Sequence, residues 1–372
     1  RLINSKILEN KAEFLRNLKS ELLEEEVLNL SSLKKCVMGR DEKNFLRSGF
    51  VADWALKESV EYEETTVFST AIKNLQTPPH MKFFRKGQRT YEDRQIGMSE
   101  DRSVLKVLEG TARSICRILP EECISKPGGI KTKLFQKMVD ESMLKSKEIK
   151  ENYGEVNCET WFATYDCTKW APKDNTLKYW YVFEELTALD PNLKNICQDA
   201  LMWWRKKRAQ LTRTVAETYE KSFLDEKKEK WGSILDENYE FTIEGSWVEG
   251  FLNYLSSLIH WAIYEDTKND FHLYMKNNDE DYNFADYKVG YLVHSDDSTA
   301  AVSGLNRTNQ PLCHVFNLCL ERNLKRANHY LSSKKSTWSS THCEFLSTWA
   351  VLGSFSVPTV KFALSITADL PN

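Results

Sequence analysis

Hydrophobic and polar positions follow two different periods along this chain of 372 residues. Apolar residues three and four apart indicate helices, and they recur in residues 3–33, 98–119, 133–150, 196–230, 251–262 and 309–331. Alternation, which indicates strands, is confined to residues 160–166 and 287–295, with residues 298–302 able to return as a second short strand. A few strands far apart in sequence, surrounded by helices, predict an α+β fold with a small sheet.

Other stretches extend this pattern. Pro172 predicts the start of a further helix. The apolar side of that helix consists of Leu177, Trp180, Tyr181 and Leu186. The basic run RKKR, residues 205–208, falls within the helix 196–230 and predicts a solvated helix face. Residues 265–286 are polar and acidic, which predicts a long connection or an insertion.

Composition indicates a globular chain with more than one core. Hydrophobic residues make up 41% and aromatic residues 12% of a chain longer than one ordinary core requires. The net charge of −3 excludes a generally basic coat, so a polyanion would have to bind a local basic patch. Nine cysteines without a CxxC pair predict a reducing compartment and no zinc site. The chain begins with Arg1, and we expect a segment of a longer protein that does not span a membrane.

Acidic residues at strand ends are the candidate chemistry. Asp296 and Asp297 stand side by side in GYLVHSDDSTA, residues 290–300, and Asp166 ends the strand 160–166. Adjacent carboxylates repel each other, and a divalent Mg²⁺ or Mn²⁺ ion would remove that repulsion. A solvated turn is the competing interpretation, because Asp is common in turns. Three such carboxylates on neighbouring strands could hold two cations about 4 Å apart for an in-line phosphoryl displacement.

A two-cation site of this kind also needs positive groups for a triphosphate and a proton donor for pyrophosphate. The stretch KFFRKGQRTYEDRQ, residues 82–95, contains five basic residues and three aromatic residues. Lys334 or Lys335 could supply the proton.

Six segments, taken in order, resemble the motifs F, A, B, C, D and E of a viral RNA-dependent RNA polymerase. They are KGQRTYEDRQI, DCTKW, EGFLNYLSS, HSDDS, SSKKS and CEFLS, within residues 82–349. The SDD variant, the DxxKW pattern and the EFxS pattern are similar to the bunyavirus-type L proteins of segmented negative-strand RNA viruses. The resemblance implies a right-hand fingers–palm core, with a small antiparallel palm sheet surrounded by helices.

The resemblance also implies a division of the chain. Residues 1–155 would form fingers with motif F at 82–97, and residues 156–190 the palm with motif A. Residues 191–244 would be a helical fingers insertion, and residues 245–340 the palm with motifs B, C and D. Residues 341–372 would contain motif E and the start of a thumb.

Site residues follow from the same resemblance. Catalysis would use Asp166, Asp296, Asp297 and Lys335, with Lys334 the second choice for the proton donor. Two Mg²⁺ or Mn²⁺ ions would be bound by Asp166, Asp297 and Glu344. The nucleotide would be contacted by Lys86, Gln88, Arg89, Arg94, Lys169, Asn253 and Ser256. Template RNA would be contacted by Gly250, Ser257 and Ser295. Trp170 is expected to pack rather than bind.

Two positions depart from the family pattern. Glu249 stands where motif B usually has Gln, and Gln95 stands where motif F usually has Glu. Glu249 would place an acid near a template phosphate, which is unexpected. Gln95 lacks the negative charge for an ion pair that would brace the motif F loop. Neither position touches the metal-binding acids, so activity is still expected.

The resemblance implies an enzyme that transfers a nucleotidyl group from an NTP to an RNA 3′-hydroxyl, in the virion and in the host cytoplasm. Its partners would be template and product RNA, the nucleoprotein-coated genome and the remainder of the L protein. The alternatives are another two-metal enzyme, such as a reverse transcriptase or nuclease, and a non-catalytic RNA-binding segment.

Overall fold

The computed structural model describes residues 1–22, 67–86, 94–99, 103–154, 157–210, 240–243 and 252–356. The chain divides into two compact units. Unit 1 consists mainly of residues 3–114 and 171–252, and unit 2 mainly of residues 115–170 and 253–372. The assignment of chain segments to fingers, palm and thumb stays a prediction.

Helices and short antiparallel strands occur in both units. The helices of the described residues are α1 (Leu2–Glu9), α2 (Lys11–Leu22), α3 (Val67–Asn74), α4 (Ser103–Arg117), α5 (Gly128–Tyr153), α6 (Trp170–Lys173), α7 (Thr176–Glu185), α8 (Pro191–Arg205), α9 (Asn253–Asn278) and α10 (Leu312–Arg326). The strands are β1 (His80–Lys86), β2 (Arg94–Ser99), β3 (Cys158–Tyr165), β4 (Arg208–Gln210), β5 (Glu240–Thr242), β6 (Tyr287–His294), β7 (Asp297–Leu305), β8 (Thr337–Ser339), β9 (His342–Phe345), β10 (Thr348–Val351) and β11 (Ser354–Ser356). The predicted α+β class is therefore confirmed.

Unit 1 contains a four-stranded sheet in the order β2-β1-β4-β5. Strands β1 and β2 form an antiparallel pair, whereas β4 runs parallel to β1. Helix α8 begins five residues before the predicted start at residue 196. The Asp190 carboxylate caps it by accepting from the backbone N–H groups of Asn192 and Leu193, and Pro191 occupies the first turn.

Unit 2 is built on an antiparallel sheet in the order β6-β7-β3-β8. Helix α5 covers one face, where Met138 belongs to a buried cluster with Leu292 and Ala301. Helix α9 covers the other face, where the ring of Tyr264 stacks on Tyr291. Strand β7 is buried on both faces after its first residue, because it is central in a covered sheet.

Close packing of α5 on the sheet depends on Gly290. A Cβ atom at this position would lie 2.8 Å from Met138 Cγ, which is shorter than real contacts allow. The absent side chain therefore lets the helix approach the sheet.

The second sheet of unit 2 has the order β11-β10-β9, and it also packs against helix α5. Phe135 of α5 contacts Phe345 and Phe355, at ring-centroid distances of 5.9 and 5.5 Å. Sequence patterns did not predict β8 to β11, because these strands are only three or four residues long.

The predicted helix 196–230 is wrong over residues 206–210, and residues 211–230 lie outside the described residues. Helix α8 ends at Arg205, and residues 208–210 form β4, because the N–H of Arg208 donates to the carbonyl of Pro79 and joins the chain to β1. The RKKR run is therefore not a solvated helix face, and Lys207 is fully buried.

The predicted connection 265–286 is also wrong over most of its length. Helix α9 continues to Asn278, because Thr267, Phe271 and Met275 lie four residues apart and are buried on one side. Acidic residues on the opposite side hide this periodicity in the sequence.

Helix α7 begins at Thr176 rather than at Pro172, because the Asn175 side chain accepts from the N–H of Leu177 and caps it. Its buried side is formed by Tyr179 and Phe183, whereas the predicted Tyr181 is 64% exposed. Among the described residues, no helix combines the length and apolarity needed to cross a membrane.

Candidate active site

The two adjacent acids lie at the tip of the β6–β7 hairpin. His294 and Asp297 are partners across a two-residue turn, so Ser295 and Asp296 form the turn and Asp297 begins β7. Ser295 has a φ of 57°, a conformation that L-residues rarely adopt. The predicted hairpin is confirmed, and its second strand is longer than predicted.

Asp166 emerges beside this turn. Tyr165, the last residue of β3, pairs with Ser298, so the next residue along β3 lies next to Asp297. The Asp166 carbonyl accepts from the N–H of Ser332 at 2.8 Å and from the hydroxyl of Ser336 at 3.2 Å. These bonds bring the segment that contains Lys335 to the end of β3.

The motif E acid is attached to the same strand through its backbone. The N–H of Glu344 donates to the Thr164 hydroxyl at 2.8 Å, and that hydroxyl donates to the Glu344 carbonyl at 3.2 Å. One threonine therefore fixes β9 against β3, two residues before Asp166.

The charges at this end of the sheet influence one another. The pKa of Asp297 is raised to about 6, first by the loss of water around the carboxyl and then by neighbouring negative charges. Those charges belong to Asp296, Asp166 and Glu344, whereas Lys335 lowers the pKa. Asp297 is partly exposed, so burial alone does not account for its raised pKa, and the neighbouring negative charges contribute as well. Acids from two other parts of the chain, at Asp166 and Glu344, thus lie close enough to Asp297 to influence its charge.

These groups have the right chemistry for a hard divalent cation, since all the donors are carboxylate oxygens. Their present arrangement does not form a finished coordination shell. Within the described part of the chain, no three His, Cys, Asp or Glu residues are grouped closely enough to hold an ion. Asp166 instead lies 2.9 Å from Lys335 Nζ. Mutual repulsion among the acids nevertheless favours any cation that replaces this lysine.

Motif B residues begin helix α9. The Ser295 hydroxyl lies within 3.4 Å of both Asn253 Oδ1 and Ser256 Oγ, so these two residues face the acidic turn. Ser256 and Ser257 are both buried, and they differ in their partners: the Ser257 hydroxyl donates to Glu122 Oε1 at 2.6 Å. The predicted template contact of Ser257 is therefore not supported by its position, which is inside the core.

The described parts of motif F lie in the antiparallel strands β1 and β2 of unit 1, with Lys86 and Arg94 as Cα partners. Gln88, Arg89 and Gly250 lie outside the described residues, as does Glu249. The nucleotide and template contacts predicted for these positions stay predictions.

Motif A continues into two residues with opposite environments. Lys169 is exposed and has a φ of 52°, and the predicted nucleotide contact stays a prediction. Trp170 is buried, and its indole stacks on the imidazole of His329 at 3.6 Å between ring centroids. The expected packing role of Trp170 agrees with this position.

Sequence reasoning missed Thr164 and His260. His260 Nδ1 lies 2.8 Å from the carbonyl oxygen of Ser295, the residue before the two acids. A histidine within the apolar run LIHWAIY, residues 258–264, four residues before Tyr264, was the available signal.

The fold and the site together define an α+β protein with several acids at one end of an antiparallel sheet. Residues 60–372 match the family described as Bunyavirus RNA dependent RNA polymerase, and the chain belongs to that family. The family predicted from the six motifs is confirmed.

Relatives described as RNA-directed RNA polymerase L show the same likeness. That of Puumala virus is 28% identical over 337 residues, which cover 78% of this chain and 15% of the relative. The protein of Sin Nombre orthohantavirus is 27% identical over 335 residues, which cover 78% of this chain and 15% of the relative. That of Bunyamwera virus is 27% identical over 243 residues, which cover 59% and 10%. The chain spans about 15% or less of the length of these relatives.

Proposed function

We propose that this chain carries the catalytic centre of a viral RNA-dependent RNA polymerase. It transfers a nucleotidyl group from an NTP to an RNA 3′-hydroxyl, directed by a template, and releases pyrophosphate for genome replication and transcription. The observation that carries the proposal is the position of three acids at one end of the unit 2 sheet. Asp166 follows the residue of β3 that pairs with Ser298, next to Asp297, and the backbone of Glu344 is hydrogen-bonded to Thr164 of the same strand.

Asp166, Asp297 and Glu344 are the residues that would hold two Mg²⁺ or Mn²⁺ ions, with Asp296 assisting. Such ions, when bound, lower the pKa of the attacking hydroxyl and stabilise the charge that develops on the phosphate. The protein contributes rigid positions for these acids, because each one is attached to a strand or to the hairpin turn.

Lys335 is the proposed proton donor to the leaving pyrophosphate. Its amine lies beside Asp166, and its side chain is 68% exposed, so it is able to reach a bound triphosphate. An ammonium group at this position also offsets negative charge on the phosphates.

The remaining contacts follow the family pattern. The triphosphate would be bound by Lys86, Gln88, Arg89, Arg94 and Lys169. Asn253 and Ser256 would contact the ribose 2′-hydroxyl, the group that distinguishes RNA from DNA precursors. Gly250 and Ser295 would contact the template.

The proposal includes the larger assembly. The two units would be parts of the fingers and palm of a right-hand polymerase within a longer L protein. That protein would act on nucleoprotein-coated genomic RNA in the virion and in the host cytoplasm.

Primer extension by the complete L protein tests the proposal. With template, primer and Mn²⁺, the wild-type protein should extend with NTPs and not with dNTPs. Asp297→Asn should abolish extension while RNA binding, measured by fluorescence anisotropy, is retained. Asp140→Asn, which changes an exposed acid of α5, is the matched control and should extend normally.

Other outcomes separate the competing functions. Extension with dNTPs would identify a reverse transcriptase, and cleavage of the RNA without extension would identify a nuclease. An unchanged activity of Asp297→Asn would mean that the acids are only turn residues, as in a non-catalytic RNA-binding segment.

A further inference from the structure

Two residues one turn apart on helix α9 form hydrogen bonds to the residues that flank the acid pair. His260 bonds to Ser295, and Tyr264 bonds to Ser298. His260 Nδ1 lies 2.8 Å from the Ser295 carbonyl oxygen, and because a carbonyl only accepts, this nitrogen carries the proton and donates. The residue is 1% exposed, so the bond is shielded from solvent and correspondingly strengthened. It acts on the residue with the positive φ, a conformation that L-residues rarely adopt.

Tyr264 holds the other side. It follows His260 by four residues, so the two side chains project from the same face of α9. The Tyr264 hydroxyl donates to Ser298 Oγ at 2.9 Å, inside the core. Its ring stacks on Tyr291 of β6 at 4.9 Å. Asp296 and Asp297 therefore lie between two residues that are both bonded to α9.

His260 also connects this turn to the segment that follows Asp166. Its ring lies 4.7 Å from the Trp170 indole, which in turn stacks flat on His329 with an interplanar angle of 2°. Trp170 and His329 each follow a residue of positive φ. Strained backbone of this kind persists only where packing holds it, so the stacked rings form a rigid connection.

We propose that His260 and Tyr264 are positioning residues for the acid pair. His260 holds the turn through the Ser295 carbonyl and Tyr264 holds β7 through Ser298, so that Asp296 and Asp297 are aimed at the place where the metal ions bind. The inference rests on the proposed function, and it extends that function to two residues that touch neither substrate nor ion.

Two substitutions at His260 separate the hydrogen bond from the ring packing. His260→Phe keeps an aromatic ring and removes the donor. His260→Asn removes the ring, and its amide can place an N–H near the position of Nδ1. Tyr264→Phe removes only a hydroxyl. His314→Asn, at an exposed histidine of α10, is the matched control.

Mn²⁺ titration calorimetry and primer extension are both measured on the complete L protein. Loss of one hydrogen bond corresponds to about a fivefold change in an equilibrium constant. His260→Phe should therefore weaken Mn²⁺ binding about fivefold and lower kcat about tenfold, with the KM for NTP unchanged. His260→Asn should recover to within about twofold of wild type in Mn²⁺ affinity, and Tyr264→Phe should show a loss of about threefold.

Specific results would overturn the inference. His260→Phe with the Mn²⁺ affinity and kcat of the wild type would exclude positioning by the hydrogen bond. A loss of Mn²⁺ affinity and kcat in His260→Asn, with none in His260→Phe, would assign the effect to ring packing alone. If His260→Phe does not fold, Tyr264→Phe decides, and an unchanged Mn²⁺ affinity there overturns the inference. A wild-type protein that binds Mn²⁺ but extends no RNA would contradict the proposed function only.

Discussion

Lys335 Nζ lies 2.9 Å from Asp166 Oδ2, so the proposed proton donor is paired with a proposed metal ligand. The lysine is mostly exposed, and such ion pairs contribute little stability. A divalent cation carries twice the charge of the ammonium group, so it should displace Lys335 from Asp166. Lys335 would then be released toward the phosphates, where its proton is needed.

Lys335→Ala should have opposite effects on metal binding and on catalysis. Removing a positive charge next to Asp166 should strengthen Mn²⁺ binding about threefold in titration calorimetry. Removing the proton donor should lower kcat about 100-fold in primer extension. Lys334→Ala is the control, since Lys334 is also exposed, and it should alter both quantities less than about twofold. Equal kcat losses at both lysines would contradict the assignment of the donor.

Thr164→Val should loosen the attachment of Glu344 to β3. The threonine hydroxyl makes two hydrogen bonds to the Glu344 backbone, and losing them should lower the free energy of unfolding by about 1–3 kcal/mol. Mn²⁺ affinity should fall as well, because Glu344 would no longer be held near the other acids. Urea unfolding and calorimetry measure the two effects.

Thr160→Val is the matched control on the same strand. The Thr160 hydroxyl is buried and has no hydrogen-bond partner within the described part of the chain. Replacing it with a methyl group should leave stability unchanged or raise it, since a buried unpaired hydroxyl is unfavourable. Loss of stability in Thr160→Val as large as in Thr164→Val would contradict the proposed role of the two Thr164 bonds.

Ser257→Ala should reduce stability without affecting RNA binding. The Ser257 hydroxyl donates to the buried Glu122 carboxylate, which also accepts from Ile124 and Ser125. Removing one donor from a buried carboxylate should cost about 1–3 kcal/mol. Scanning calorimetry should show a lower Tm, while the Kd for RNA stays at the wild-type value. A weaker Kd for RNA at unchanged Tm would restore the template contact that the sequence predicted.

Ser256→Ala, one residue earlier, is the comparison. Ser256 faces Ser295 at the acidic turn, and we propose that it contacts the ribose. Ser256 is also buried, but its bond to Ser295 is 3.4 Å long and joins two neutral hydroxyls, whereas the Ser257 bond to a carboxylate is 2.6 Å long. Ser256→Ala should therefore lower the Tm less than Ser257→Ala does, and it should raise the KM for NTP because it removes a contact to substrate.

Lys207→Met should remove a pH-dependent part of the stability. Lys207 is fully buried with Nζ 3.5 Å from the Trp204 carbonyl oxygen, and burial lowers its pKa from 10.5 to about 8. Between these two pH values the unfolded chain holds a proton that the folded protein lacks. Wild-type stability should therefore rise with pH across this window, by about 3 kcal/mol at most.

Urea unfolding at several pH values tests this expectation. The methionine variant should lack the rise and should be more stable than wild type at pH 7, because no charge is buried. Lys206→Met changes the exposed neighbour and should keep the wild-type pH profile. Parallel pH profiles for wild type and Lys207→Met would contradict the lowered pKa.

Prediction from sequence succeeded where the signal was local and failed where neighbours in space decided the outcome. The β6–β7 hairpin was predicted because alternation and two turn-forming acids occur within a few residues of each other. The length of α9 was not predicted, because charged residues on its outer side hide the buried positions at Thr267, Phe271 and Met275. Lys207 was misassigned because nothing in an RKKR run indicates which lysine will be enclosed.

The order and spacing of six motifs, and the α+β class, were determined by the sequence alone, because each depends on residues close together along the chain. Only the tertiary structure decided which side chains meet. The Thr164–Glu344 and His260–Ser295 contacts join residues 180 and 35 positions apart. Such pairs are made by strand register and helix packing, and residue type at either position does not specify its partner. The proposed catalytic acids could therefore be named from the sequence, whereas the residues that hold them in place could not.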